Sequence, residues 1–345
     1  MSRVLIIGPN YFNFLPAVEK AFSELGWETD VLPFDNPVHP YTPWMKWRYK
    51  LSRHREALQA RGRAVFRTEA ISRLDAFRPD LVFLLNGDIF EDETLDEIRS
   101  GGVKIALWLF DNRERLPRSV TEVGHVDRLF CFEQRDVDWF RAQGWDNVSF
   151  LPQACDPDVY RPLEGVAKDI DILFVGNLYG SAKRKETMEA VIRAFPQRCI
   201  EVYGLYQPWY KGVLKCWYRP HKDIFKNRTI PPAAVNALYN RARIVLNIHQ
   251  ELQQSGANPR VFEICGSGAY QICDGNDYIR SLFPDGSVGL YDSEQELLTL
   301  LGRALEEDPS AQAEAAHRTV YGQHTFVNRM AQVLSSIRSE DSLCR

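Results

Sequence analysis

Short apolar runs alternate with amphipathic segments along this 345-residue chain, and the alternation starts afresh at mid-chain. Val4 to Ile7 is an apolar run closed by Gly8-Pro9-Asn10, and Phe14 to Gly26 follows with helical spacing and a glycine stop. Further strand-like runs are Thr29 to Phe34, Leu81 to Leu85, Ile105 to Phe110, Arg128 to Phe132 and Val148 to Leu151. Helical patterns separate them at Ala64 to Phe77, Glu93 to Ser100 and Val137 to Gln143. Apolar strands alternating with amphipathic helices predict a parallel sheet covered on both faces.

The polar, proline-bearing stretch from Asp156 to Pro162 reads as a linker, after which the pattern repeats. Ile170 to Val175 ends in Gly176-Asn177, a helix spans about Arg184 to Phe195, and Ile200 to Tyr203 closes at Gly204. Ile244 to Ile248, Ala269 to Cys273 and Val288 to Tyr291 complete a second set of strands, and Phe326 to Ile337 reads as a terminal helix. The expected fold is therefore α/β: two Rossmann-like domains whose parallel sheets face a central cleft, the architecture known as GT-B, with ligands at the strand C-termini. The expected boundaries are 1–155 for the first domain, 156–322 for the second, and 323–345 for a helix crossing back to the first domain.

An apolar fraction of 45% and a charged fraction of 26% fit a soluble globular protein. A formal charge of −4 argues against general nucleic-acid binding, which needs a basic footprint. The seven cysteines form no C-x-x-C pair, and Cys131, Cys199 and Cys273 lie in apolar runs where a thiol is a small buried hydrophobe, so neither disulfides nor a zinc site are expected. The chain enters a strand at Arg3 without a signal-peptide core, and no apolar run has the length of a membrane span. A cytoplasmic setting is expected, with any membrane contact peripheral.

The segment Ser255-Gly256-Ala257-Asn258-Pro259-Arg260-Val261-Phe262-Glu263 leads into Gly266-Ser267-Gly268 and Asp274. Asn258-Pro259 marks a loop, and Arg260 opens a short helix on which Arg260 and Glu263 share one face. A free basic group at a helix N-terminus attracts a diphosphate, and a carboxylate one turn further in can accept from two ribose hydroxyls. The plainer reading is a solvated surface pair. The order strand, polar loop, Arg-Phe-Glu, Gly-Ser-Gly and strand favours the first.

Phrases along nearly the whole chain carry a family resemblance. They are Pro79-Asp80-Leu81-Val82-Phe83, Leu107-Trp108-Leu109-Phe110-Asp111, Leu151-Pro152-Gln153-Ala154-Cys155-Asp156-Pro157, Asp171-Ile172-Leu173-Phe174-Val175-Gly176-Asn177, Leu246-Asn247-Ile248-His249 and Asn258-Pro259-Arg260-Val261-Phe262-Glu263. The chain resembles the CgeB-like glycosyltransferases, named after a spore maturation protein. The resemblance implies a nucleotide-sugar donor in the second domain and an acceptor over the first, with neither sugar nor acceptor fixed. Related retaining enzymes carry two glutamates eight residues apart. Glu263 matches the second, but Ser255 stands at the first, which leaves the anomeric outcome open.

Sugar transfer builds negative charge on the departing diphosphate, so preorganised donors are the main requirement. Arg260 and the amides opening its helix are the first candidates, with Asn258 beside them. Gly176, Asn177 and the Lys183-Arg184-Lys185 cluster are the second; the lysines can equally be a solvated helix start, and Arg184 is favoured by analogy with related folds. Tyr203 and Gly204 end a strand and either flank the base or sugar or belong to the core. His249 either contacts a phosphate or sugar hydroxyl or satisfies loop carbonyls. On the acceptor side, Asp111 is the candidate base or else a turn-capping residue, Asp88 is the reserve base, and Asn10 and Tyr11 follow the first strand. Asp169-Ile170-Asp171 has the D-x-D spacing of a metal site but precedes a buried strand, so no metal and no cofactor are expected beyond the donor itself. An epimerase of the same fold and a catalytically silent sugar-nucleotide-binding subunit are the alternatives.

Two stretches interleave basic and aromatic residues. One runs from Trp44 to Lys50 and on through Arg53, Arg55, Arg61 and Arg63; the other holds Trp209, Lys211, Lys215, Trp217, Arg219, Lys222 and Lys226. Either they suit an anionic membrane or a lipid-diphosphate acceptor, or they are solvated helix faces whose tryptophans anchor a core; the second is the expectation.

Overall fold

The computed structural model describes residues 1–9, 14–35, 39–40, 42–206 and 223–343. The chain divides into two units, one formed by Met1–Pro152 with Phe326–Arg345 and the other by Gln153–Thr325.

The first unit contains β1 (Arg3–Pro9), α1 (Phe14–Glu24), β2 (Glu28–Phe34), α2 (Pro43–Leu51), α3 (Arg55–Phe77), β3 (Leu81–Leu85), α4 (Asp92–Ser100), β4 (Lys104–Leu109), α5 (Ser119–Glu122), β5 (Arg128–Cys131), α6 (Gln134–Ala142) and β6 (Val148–Phe150). Its strands form one parallel sheet in the order β2-β1-β3-β4-β5-β6. The inner strands β1, β3 and β4 are largely apolar because both their faces are covered. Leu5, Ile7, Val82, Leu84 and Leu107 pack with Phe66 and Ala70 of α3 and with Leu95 and Ile98 of α4. The alternate residues Ile6, Phe83 and Trp108 serve the other face. There Phe22 of α1 meets Phe83 edge-on at 5.3 Å, and Trp108 lies 6.2 Å from Phe326 of the C-terminal helix, Phe326–Leu343. The buried Trp108 indole donates to the Leu151 carbonyl at 3.0 Å, and buried Arg329 donates to the Pro152 carbonyl at 2.8 Å. Helix α2 buries none of its residues, and Trp44 and Trp47 face solvent, contrary to the expected core anchors.

In this sheet the strand order reverses between β1 and β3. The loop leaving β3 there holds Asn86, Gly87 and Asp88 at φ of 64°, 49° and 63°. Two polar contacts fix this left-handed run. The Phe110 amide donates to Asn86 Oδ1 at 2.6 Å, and the Asp88 amide donates to Glu122 Oε1 at 2.7 Å. A Cβ on Gly87 would lie 2.5 Å from the Glu122 carboxylate, so the loop wraps that buried group at contact distance. Burial pushes the Glu122 carboxyl up to about 7, against the Asp88 amide and Arg118, which favour its charge. The protonated form is thus the comfortable one in the fold. The stability it confers is complete below about pH 4.5 and is lost as pH rises through about 7. Glu122→Gln keeps the acceptor and removes the ionisation. We expect the variant to gain about 3 kcal/mol relative to wild type between pH 4.5 and pH 8.5, read from urea unfolding at each pH. Parallel pH profiles would contradict this.

The second unit contains β7 (Ile170–Val175), α7 (Ala182–Ala194), β8 (Ile200–Tyr203), α8 (Pro232–Arg241), β9 (Ala242–Asn247), α9 (Pro259–Gly266), β10 (Tyr270–Asp274), α10 (Asp277–Leu282), β11 (Gly289–Tyr291), α11 (Glu294–Glu306) and α12 (Ser310–Gln323). Its parallel sheet runs β11-β10-β9-β7-β8. Leu173, Val175, Val245 and Cys273 pack with α8, α9 and α12 through Tyr239, Phe262 and Val320. Ile172, Phe174, Ile244, Leu246 and Ile272 pack with α7 and α11 through Met188, Val191, Leu297 and Leu301. Cys131 and Cys273 are buried as expected, but Cys199 is exposed, because it falls in the turn before β8, where its amide donates to Asp171 at 2.9 Å.

Candidate functional site

In the second sheet the order reverses between β7 and β9, and the C-terminal ends of these two strands flank the point where open α/β sheets bind ligands. Helix α9 starts there. Asn258 caps it by accepting the Val261 amide at 3.3 Å, and Pro259 occupies the first turn, where a missing N–H costs nothing. Arg260 then reaches the end of β7, its Nε donating to the Val175 carbonyl at 3.1 Å. Its Nη1 is ion-paired with Glu263 one turn on.

Arg260 is therefore not the free basic group that the sequence suggests. Glu263 is buried, and a carboxylate removed from water needs a counter-charge, which the i, i+3 spacing supplies. Burial disfavours the Arg260 charge, but the Glu263 carboxylate overrides it and holds the guanidinium protonated. About 30% of the Arg260 side chain stays exposed, so the pair is open on one side. Tyr160 lies within electrostatic reach of Glu263, and burial drives its phenol well above the usual range. The Tyr239 hydroxyl is fully buried within electrostatic reach of both charged groups and meets no hydrogen-bond partner among the described residues.

A buried polar network holds this helix start. Asn247 at the end of β9 exchanges side-chain hydrogen bonds with Asn258 at 3.1 and 3.0 Å, and it donates to Gln271 of β10 at 3.0 Å. The Asn258 amide donates to His249 Nε2 at 3.2 Å, and His249 Nδ1 lies 2.7 Å from Asp274. These contacts define a neutral imidazole with its proton on Nδ1. Neither nitrogen of His249 is left for a phosphate, and the Asn258 side chain is spent on the cap; both position the Arg260 turn rather than present a ligand group. Asp274, despite burial, is held well below the usual carboxylate range by His249 and by the paired Lys183 ammonium.

The β7–α7 turn is engaged in the same way. Arg184 is buried, its Nε donating to the Ile248 carbonyl at 2.8 Å and its Nη1 to the Asn177 carbonyl at 3.0 Å, so it ties the ends of β7 and β9 together. Asn177 Oδ1 accepts the Leu205 amide at 2.9 Å, and the Gly176 amide donates to Tyr203 at 2.8 Å. The Tyr203 hydroxyl is bonded to Glu201 at 2.9 Å, the core-type arrangement rather than a wall for a base. Gly204 abuts Gly176 with φ of 123°. The start of α7 carries a carboxylate of this chain: Ser181 Oγ donates to Glu251 Oε1 at 3.0 Å and the Lys183 amide to the same oxygen at 3.3 Å. Those bonds, working against burial, lower the Glu251 pKa.

In the first unit, Asp111 ends the segment after β4, about one-third exposed; it accepts the Asn112 amide at 3.0 Å and faces Arg115 at 3.4 Å. Asp88 has its carboxyl raised by burial, with Arg118 and Arg63 acting against the rise. Asn10 and Tyr11 lie outside the described residues, as does the second basic stretch from Trp209 to Lys222. The Asp169-Ile170-Asp171 carboxylates sit at the start of β7, away from the site, where Asp169 pairs with Arg241 at 2.6 Å and Asp171 with Arg243 at 3.4 Å. Tyr160, Tyr239 and Glu251 escaped the sequence reading. Tyr160 falls in the stretch read as linker, and neither of the other two carries a motif.

Residues 183–335 match the sequence family described as glycosyl transferase-like. Among curated proteins none matches the sequence. Sucrose-phosphate synthase from Thermosynechococcus elongatus superposes with a TM-score of 0.69 at 11% identity, covering 99% of this chain and 100% of that one. HepE from Anabaena, solved in complex with UDP, gives 0.64 at 12% identity over 98% of this chain and 100% of its own. The fold is GT-B. A putative UDP-N-acetylglucosamine 2-epimerase from Listeria monocytogenes, with a TM-score of 0.59 at 11% identity, covers 98% of this chain and 96% of that one. Within this GT-B chain, Arg260, Glu263 and the buried network of Asn247, His249, Asn258, Gln271 and Asp274 lie in the second Rossmann-like domain and in the matched segment, whereas Val175 and Tyr160 lie in the same domain ahead of that segment.

Proposed function

We propose that this GT-B protein is a cytoplasmic glycosyltransferase of the CgeB-like kind. It moves a hexosyl or deoxyhexosyl group from a nucleoside-diphosphate sugar to a hydroxyl of a glycan, a lipid-linked glycan or a protein, without a metal ion. The observation that carries this reading is the Arg260–Glu263 pair at the sheet's switch point, inside the segment that matches a glycosyl transferase-like family. The exposed side of Arg260 meets the diphosphate and stabilises the charge that grows on it as the anomeric bond breaks. Glu263 accepts from ribose hydroxyls, and the orphaned Tyr239 hydroxyl gains a partner when the site fills. Asp111, held among the described residues by a turn amide and a partly exposed arginine, is the acceptor-side base, with Asp88 in reserve. The UDP complex of the similarly folded HepE makes UDP the first nucleotide to try.

Thermal unfolding with UDP, GDP, dTDP and CDP, with and without EDTA, tests the reading. One nucleotide should raise the midpoint, with a saturating ligand at about 100 times its Kd contributing roughly 2.7 kcal/mol, and EDTA should not change the shift. No shift with any nucleotide, or a shift that needs added manganese, counts against it. The likeness to the Listeria protein favours one second reading, epimerisation of the sugar nucleotide. Conversion of the donor sugar without any acceptor would establish it instead.

A further inference from the structure

Helix α2 turns its large apolar side chains toward water. Trp44, Trp47 and Leu51 recur at i, i+3 and i+7 and so form one stripe, and they are 60%, 62% and 64% exposed. Only Met45 and Tyr49, on the opposite side, are partly buried. Lys46 and Lys50 flank the stripe on one side and Arg48 on the other, its guanidinium 5.3 Å from the Trp44 ring. Arg53 and Arg55 continue the charge, and no Asp or Glu occurs between Asp35 and Glu56. The helix is already well formed, since Thr42 Oγ1 caps it by accepting the Met45 amide at 3.2 Å and Pro43 opens its first turn.

A face this apolar, rimmed by one sign of charge, marks an interaction surface. Its chemistry selects the partner. A second copy brought face to face would set lysines and arginines against each other with no carboxylate between them. Nucleic acid would leave Trp47 and Leu51 without an apolar surface to enter. An anionic bilayer satisfies both halves of the pattern, the headgroup boundary taking the tryptophans and the lipid phosphates the cations.

We propose that α2 docks this protein onto an anionic phospholipid surface, lying in the headgroup plane with Trp44, Trp47 and Leu51 inserted and Lys46, Arg48 and Lys50 on the phosphates. The test is co-sedimentation of the full chain with vesicles of phosphatidylcholine mixed with phosphatidylglycerol, against phosphatidylcholine alone. Wild type should pellet with the mixed vesicles only. K46Q/R48Q/K50Q should lower the partition coefficient about a hundredfold, since each cation near the surface contributes roughly fivefold. W44S/W47S should lower it by about tenfold or more. Both variants should unfold thermally close to wild type, because all five side chains are exposed and the helix buries none of its residues. Failure of wild type to pellet, equal pelleting of wild type and variants, or equal pelleting with both vesicle types would overturn the proposal. Tighter binding to a duplex oligonucleotide than to vesicles, or a dimer in sedimentation velocity that W44S/W47S abolishes, would overturn it in favour of the other partners.

Discussion

Arg260→Ala should lower turnover of the proposed sugar transfer by about 10²–10³-fold, the range found when one preorganised donor to a developing anion is lost. Donor affinity should fall less, because in the proposed role the charge that Arg260 answers is larger in the transition state than in the bound donor. The geometry adds a second cost. Without the guanidinium, the Val175 carbonyl loses its donor and the buried Glu263 carboxylate loses its counter-charge. Arg260→Lys should restore little of this, since an ammonium is a point charge and cannot span the Val175 carbonyl and Glu263 as the planar fork does. Single-turnover rates beside nucleotide affinities from calorimetry separate the two effects. Equal turnover in Arg260→Ala would remove Arg260 from the chemistry, and equal losses in rate and affinity would make it a binding residue only.

Gly204→Ala should destabilise the second unit by about 2–6 kcal/mol, combining the backbone strain of a disfavoured φ with overpacking. A Cβ there would lie 2.1 Å from the Gly176 carbonyl oxygen and 2.5 Å from its carbon. Both neighbours are backbone, and the Gly176 amide is bonded to Tyr203 at 2.8 Å, so no side chain can swing aside. The two strand ends would have to part, releasing the turn that Asn177 and Arg184 stitch. Gly302 in α11 is the control. Nothing lies within 4 Å of its added Cβ, so Gly302→Ala should stabilise by up to about 1 kcal/mol through helix propensity alone. Urea unfolding of both variants decides the matter, and similar midpoints would show that the contact relaxes cheaply.

The strands were legible in the sequence because a parallel strand buried on both faces is an unbroken apolar run, as in Leu81–Leu85 and Ile170–Val175. Helix α12 was not, because its inward side is Ala313, Ala316 and Val320, a stripe of small residues that adds little to a hydrophobic count. The Arg260–Glu263 pairing was half legible: the shared face follows from spacing, whereas the closed ion pair follows from burial, which spacing does not reveal. The contacts of Arg184, His249 and Asn258 were barely legible, beyond the loop-satisfying alternative for His249. They depend on which carbonyls and amides are left unsatisfied at the ends of β7 and β9, and those groups come from segments more than sixty residues apart in the case of Arg184 and Ile248. Tyr160 and Tyr239 meet the same pair from two further segments.

The carboxylate of Glu251 seated on the start of α7 changes how this edge can handle a guest. A helix terminus that already hosts an anion of its own chain offers a newcomer repulsion first and attraction only after displacement. On the proposed reading a polyphosphate would therefore be drawn to α9 rather than α7, leaving it one docking direction instead of two.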